Sequence, residues 1–111
     1  MVCARLPWSL CLEIEHNNIV TLIPKDTTLP AGLSRMVTTI EDGQRSVEIH
    51  LLSMDETGHT ESLGRFLLAG ICEQSKNEAR IRIIVEADRA GLIRLVIIDL
   101  DSGTRLSRVI A

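Results

Sequence analysis

The chain has 111 residues, with 12 Lys and Arg against 15 Asp and Glu for a formal charge of −3, and 45% of it is hydrophobic although Trp8 and Phe66 are its only aromatics. That length allows one domain with its own core and leaves no room for a second. Dispersed, slightly acidic charge excludes a nucleic-acid binder that tracks phosphates with a basic face, and the lack of an apolar run of about 18 residues excludes a helical membrane span.

In chain order the pattern is strand after strand. "SLCLEIE" (9–15) sets Leu10, Leu12 and Ile14 on one face and Cys11, Glu13 and Glu15 on the other, the period of a half-buried strand. "HNN" (16–18) turns the chain into "IVTLI" (19–23), because Asn tolerates left-handed backbone. In "TLIPKDTTLP" (21–30) two prolines bracket a Lys-Asp-Thr-Thr turn, so the segment reads as a corner between sheets and not as the middle of a strand. "SRMVTTI" (34–40) and "SVEIHLL" (46–52) flank "EDGQ" (41–44), and Asp-Gly between β-rich runs predicts a hairpin.

"SLGRFLLAGI" (62–71) predicts a short strand ending at Gly70, followed by a polar loop, "CEQSKNEA" (72–79). "RIRIIVEAD" (80–88) and "LIRLVIID" (92–99) predict a hairpin around Gly91, and "LDSG" (100–103) introduces a last strand, "TRLSRVI" (104–110). Ile84, Val96 and Ile98 give this region a second apolar face, the signature of sheet packing or of an oligomer interface. Seven or eight strands without a helical pattern predict an all-β fold, an antiparallel β-sandwich or barrel.

The sequence offers little reactive chemistry. Cys3, Cys11 and Cys72 are an odd set without CxxC or metal-ligand spacing, so they read as reduced structural thiols, and no metal site is expected. The opening "MVCARLPWSLCLEIE" is a poor signal peptide, which makes the cytoplasm the expected setting. His16, His50 and His59 have no ligand spacing, Asp99 and Asp101 read as turn formers, and no motif gathers a nucleophile, base and orienter. Neither enzymatic activity nor a cofactor is expected.

The ordered set "PWSLCLEIE", "TLIPKDTTLP", "EDGQRSVEIHLL", "LGRFLLAGI" and "VEADRAGLIRLVIIDLDSGT" resembles the β-sandwich part of the peptide-binding domain of DnaK-type seventy-kilodalton heat-shock chaperones, over nearly all of residues 7–110. The resemblance implies an antiparallel β-sandwich of about eight strands in two sheets, residues 1–111 forming one peptide-binding domain. It implies capture of extended or unfolded polypeptide through main-chain hydrogen bonds and one pocket for an apolar side chain, usually leucine. The pocket residues it implies are Leu12, Val37, Val47, Ile49 and Ile81, with Glu15 and Ile40 arching over the peptide. Backbone groups of Ile14, His16 and Thr38 and the side chain of Gln44 would meet the peptide main chain.

Relative to that family the chain shows neither an ATPase domain nor a helical lid, so ATP would act only through a domain absent here. Glu15 replaces an apolar or small arch residue, and with Glu13, Glu41, Asp42 and Glu48 it predicts an acidic groove side that favours peptides with flanking Lys or Arg. The other function class is a structural or assembly module that keeps the sandwich, has a degenerate groove, and binds a partner protein or itself.

Overall fold

The computed structural model describes residues 4–14, 18–38, 42–71 and 78–110. Its strands are β1 (Ser9–Ile14), β2 (Asn18–Ile23), β3 (Ala31–Val37), β4 (Ser46–Met54), β5 (Thr60–Ala69), β6 (Ile81–Ala87), β7 (Ile93–Asp99) and β8 (Arg105–Ile110). They form two four-stranded antiparallel sheets, in the orders β2-β1-β4-β5 and β3-β6-β7-β8. The all-β fold expected from the pattern of strands is therefore observed, and of the two architectures that pattern allowed it is the two-sheet sandwich.

Alternation explains how the layers meet. Along β6, Ile81, Ile83, Val85 and Ala87 are buried while Arg82 and Glu86 are exposed, and β7 buries Ile93, Leu95, Ile97 and Asp99 in the same rhythm. Leu10, Leu12, Ile49, Leu51 and Leu68 of the first sheet join these residues in a single aliphatic cluster. Each such side chain contributes about 1.5–3 kcal/mol when fully withdrawn from water, which lets a core almost without aromatics hold the two sheets together.

Three hairpins share one device, an aspartate carboxylate that binds the backbone of its own turn. Asp55 Oδ1 accepts hydrogen bonds from the N–H groups of Thr57 (2.9 Å) and His59 (3.0 Å) between β4 and β5, and Gly58 takes φ 89°. Asp88 Oδ1 accepts from Ala90 and Leu92, both at 2.9 Å, between β6 and β7, with Gly91 at φ 85°. Asp99, only 1% exposed, accepts from the Asp101 N–H and the Ser102 hydroxyl between β7 and β8. The side chain imitates a backbone acceptor, and glycine supplies the left-handed residue that closes the turn.

The expected hairpin at 41–44 is not one. β3 pairs with β6 and β4 pairs with β1 and β5, so the two strands lie in different sheets. Asp-Gly supplies a turn there, with Gly43 at φ 70°, but a turn residue sets local direction and not which strands pair. The second strand of the expected hairpin is in place, whereas the first begins earlier, at Ala31, and leaves its ladder after Val37. Thr39, Ile40 and Glu41 lie outside the described residues, as do residues 72–77 of the expected polar loop.

The proline corner does join the two sheets, connecting β2 to β3. An N-terminal segment braces it: the Leu6 N–H donates to Thr27 O (3.0 Å), Asp26 N–H to Leu6 O (2.8 Å) and Leu29 N–H to Ala4 O (2.9 Å). The Lys25 N–H donates to Ser9 Oγ at 3.0 Å, which ties the corner to the start of β1. Leu6 and Leu29 are buried beneath this bracing, so the corner closes one end of the core.

Candidate functional site

At the other end of the sandwich β1, β3, β5 and β7 end and β2, β4, β6 and β8 begin. Hydrogen bonds stitch residues next to these strand ends: Ile71 N–H to Arg45 O (3.2 Å), Thr104 Oγ1 to Gly70 O (3.3 Å) and Leu100 N–H to Arg80 O (2.9 Å). An exposed ion pair between Arg80 and Asp101 (2.6 Å) reinforces the last junction, and the carboxylate keeps the guanidinium more firmly protonated than usual. Of the site residues suggested by the sequence, Ile14, Val37, Thr38, Gln44, Val47 and Ile81 lie at or next to strand ends on this side.

The structure gathers the five suggested pocket residues around one cluster. Leu12, Ile49 and Ile81 are fully buried, and Val37 and Val47 are half-buried against them. Val37 and Ile81 are direct cross-strand partners, and Leu12 pairs across β1 and β4 with Leu51, one step along the inward face of β4 from Ile49. Of the five, the two valines are the accessible members and the other three are sealed in the core.

The remaining positions divide by location. Ile14 ends β1, with its backbone opposite Asn18. Thr38 follows β3 directly, and its enclosed hydroxyl has no hydrogen-bond partner among the described residues. Gln44 is half-buried and donates through Nε2 to the Ser46 carbonyl, which fixes the approach to β4. Glu15, His16 and Ile40 lie outside the described residues.

The expected acidic groove side is reduced. Glu13 and Glu48 alternate with the inward Leu12, Val47 and Ile49, so they project from the outer face of the first sheet, away from the core. Each is also partnered, Glu13 with His50 and Glu48 with Arg65 at 2.9 Å. Glu41, like Glu15, lies outside the described residues.

A polar relay that no sequence motif signalled occupies the same outer face. His50 Nδ1 lies 3.0 Å from Glu13 Oε1, and His50 Nε2 lies 2.8 Å from Ser62 Oγ. Both ring nitrogens thus have a hydrogen-bond partner, a carboxylate at Nδ1 and a hydroxyl at Nε2 that can donate or accept. His50 is only 8% exposed, and the relay satisfies both its nitrogens while binding β1, β4 and β5 directly behind Leu12 and Ile49. The residues are 37 and 12 positions apart, so only the strand register could have brought them together.

Cys11 lies beside the relay, fully buried, with Sγ 3.8 Å from Thr21 Oγ1, and burial pushes its thiol pKa up against the smaller opposing effect of that contact. It is therefore held as an unreactive thiol, in keeping with a structural role.

Comparison with known proteins places these observations. The family model described as Hsp70 protein matches residues 4–110. The chain is 36% identical over 106 residues to the chaperone protein dnaK3 of Thermosynechococcus vestitus, covering 94% of this chain and 16% of that protein. It is 32% identical over 104 residues to a chaperone protein HscA homolog of Histophilus somni, covering 92% and 17% respectively. Similarity to the chaperone protein DnaK of Trichormus variabilis is 34% over 103 residues, covering 91% and 15%. The chain thus spans about a sixth of the length of these relatives.

Proposed function

Because the chain belongs to the Hsp70 family, we propose that it is a chaperone-type binding module, not an enzyme, that captures extended, unfolded polypeptide at the stitched end of its sandwich. The observation that carries this reading is that Val37 at the end of β3 and Val47 at the start of β4 are half-buried against the same aliphatic cluster that holds Leu12, Ile49 and Ile81. A client side chain such as leucine would settle between the two valines, where burial is worth about 1.5–3 kcal/mol. Main-chain hydrogen bonds to Ile14, His16, Thr38 and Gln44 would supply the part of the affinity that ignores client sequence. A bound main chain would also offer a partner to the Thr38 hydroxyl, which has none among the described residues. Glu15 and Ile40 would form the arch above it.

The relay behind the pocket supports the same use. A pocket accepts a ligand repeatedly only if its floor does not collapse, and Glu13, His50 and Ser62 pin the three strands that carry Leu12, Ile49 and Leu68. The complete burial of Leu12, Ile49 and Ile81 favours a second reading, in which the five residues are ordinary core and the module binds a partner protein or itself elsewhere. Titrating the protein into a fluorescent leucine-centred peptide flanked by arginines, with anisotropy as readout, separates the two. The first reading expects saturable, competable binding that Val47→Phe abolishes by filling the pocket; binding that survives this substitution unchanged would refute the pocket.

A further inference from the structure

The outer face of the second sheet carries the second apolar face expected from Ile84, Val96 and Ile98, all three half-buried. Its central row runs across the strands as Ser34, Ile84, Val96 and Ser107, two half-buried aliphatics between two short hydroxyl side chains. In the next row Ile98 sits between Arg82 and Arg105, and on the opposite side Arg94 stands between Glu86 and the 57%-exposed Val109. Strand spacing puts Arg82 and Arg105 about 10 Å apart, and the rise along β7 sets Arg94 about 13 Å from their row. Arg82, Arg94 and Arg105 make no ion pair among the described residues, so three guanidinium groups surround an aliphatic trough in a chain whose formal charge is −3.

We propose that this face docks an acidic amphipathic helix, with its apolar stripe on Ile84, Val96 and Ile98 and its flanking carboxylates on Arg82, Arg94 and Arg105. A helix is the common cover for a sheet that carries aliphatic side chains on its second face. Arginine pairs with carboxylates bidentately and is easily desolvated, which suits an interface. The occupant is not a second copy of the same face, because a two-fold contact would set three arginines and one glutamate against an identical set. Nucleic acid fits less well, since the face has no aromatic side chain for stacking. Glu86 bounds the footprint beside an open hollow of about 340 Å³ lined by Pro30, Ala31, Gly32, Ala87 and Asp88.

The test uses a labelled helical peptide of about 18 residues with leucines on one stripe and glutamates beside it, and a matched peptide carrying lysines instead. The docking face predicts saturable binding of the glutamate peptide, weakened by added salt, and no binding of the lysine peptide. The double substitution Arg82→Glu and Arg105→Glu should weaken it about tenfold or more, while Val47→Phe leaves it unchanged. Circular dichroism and thermal melting confirm that each variant is folded. Absence of glutamate-peptide binding up to about 1 mM, equal binding of both peptides, or indifference to the arginine reversal overturns the proposal. So does binding of anionic vesicles or oligonucleotides in place of the peptide, or a wild-type dimer that the reversal dissociates.

Discussion

The second sheet runs from β3 through β6 and β7 to β8 without a register shift, whereas the first shifts twice, at Leu10/Cys11 between β1 and β2 and at Leu51/Leu52 between β4 and β5. Near the second shift Gly64 takes φ 139°, and a Cβ there would lie 2.8 Å from the Phe66 ring, so only glycine lets that ring lie against the strand. The first sheet also buries polar chemistry on its outer face, where the second exposes arginines around aliphatics. The uniform ladder mostly backs the proposed groove and lends it Val37 and Ile81, whereas the irregular sheet contributes Leu12, Val47, Ile49 and the relay behind them.

Large-to-small changes in the core break this comparison most strongly. Ile83→Ala in the backing sheet and Ile49→Ala in the groove sheet should each destabilise by about 2–5 kcal/mol, since both side chains are essentially fully buried. Denaturant unfolding measures that loss, and peptide anisotropy then separates the pair. Only Ile49→Ala should change peptide affinity under conditions where both variants remain folded.

Removing the relay comes next. His50→Ala leaves the Glu13 carboxylate and Ser62 hydroxyl without their partner, at a cost of about 1–3 kcal/mol. Hydrogen exchange should show the loss as faster exchange in β5, the edge strand of the first sheet, with β6 and β7 amides little altered.

The smallest effect sharpens the account of the turns. Hydrogen bonding by the Thr57 hydroxyl, then by the backbone N–H groups of His59 and Thr57, lowers the pKa of Asp55 below its ordinary 3.8. A depressed folded-state value means that its stabilisation is present above the unfolded value and is lost as pH falls through the folded one. The stability difference between wild type and Asp55→Asn should therefore be constant near neutrality and shrink below pH 3.8. Urea unfolding across that range checks it.

How much the sequence reveals follows the same division. β6 and β7 are legible because every second residue is a buried aliphatic, and their turn carries both an aspartate and a glycine. β3 is misplaced by three residues because it is an edge strand whose residues are mostly exposed, so no periodicity marks its start after Pro30. The false hairpin at 41–44 arises because Asp-Gly specifies a turn while the choice of sheet depends on distant pairing with β6. That Leu12 and Ile49 face the core, with Val47 on the same side, could be inferred from strand faces. The relay could not, because Glu13, His50 and Ser62 each look like an ordinary polar residue on a solvent face until the register aligns them.

The most direct test is methyl NMR of the protein with labelled Ile, Leu and Val side chains, titrated with the leucine-centred peptide. The account predicts saturable shifts confined to Val37, Val47 and the methyls beneath them, with Ile84, Val96 and Ile98 on the far side of the second sheet unmoved. Shifts centred on those three residues, or none anywhere at saturating peptide, would contradict a groove at the stitched end of the sandwich.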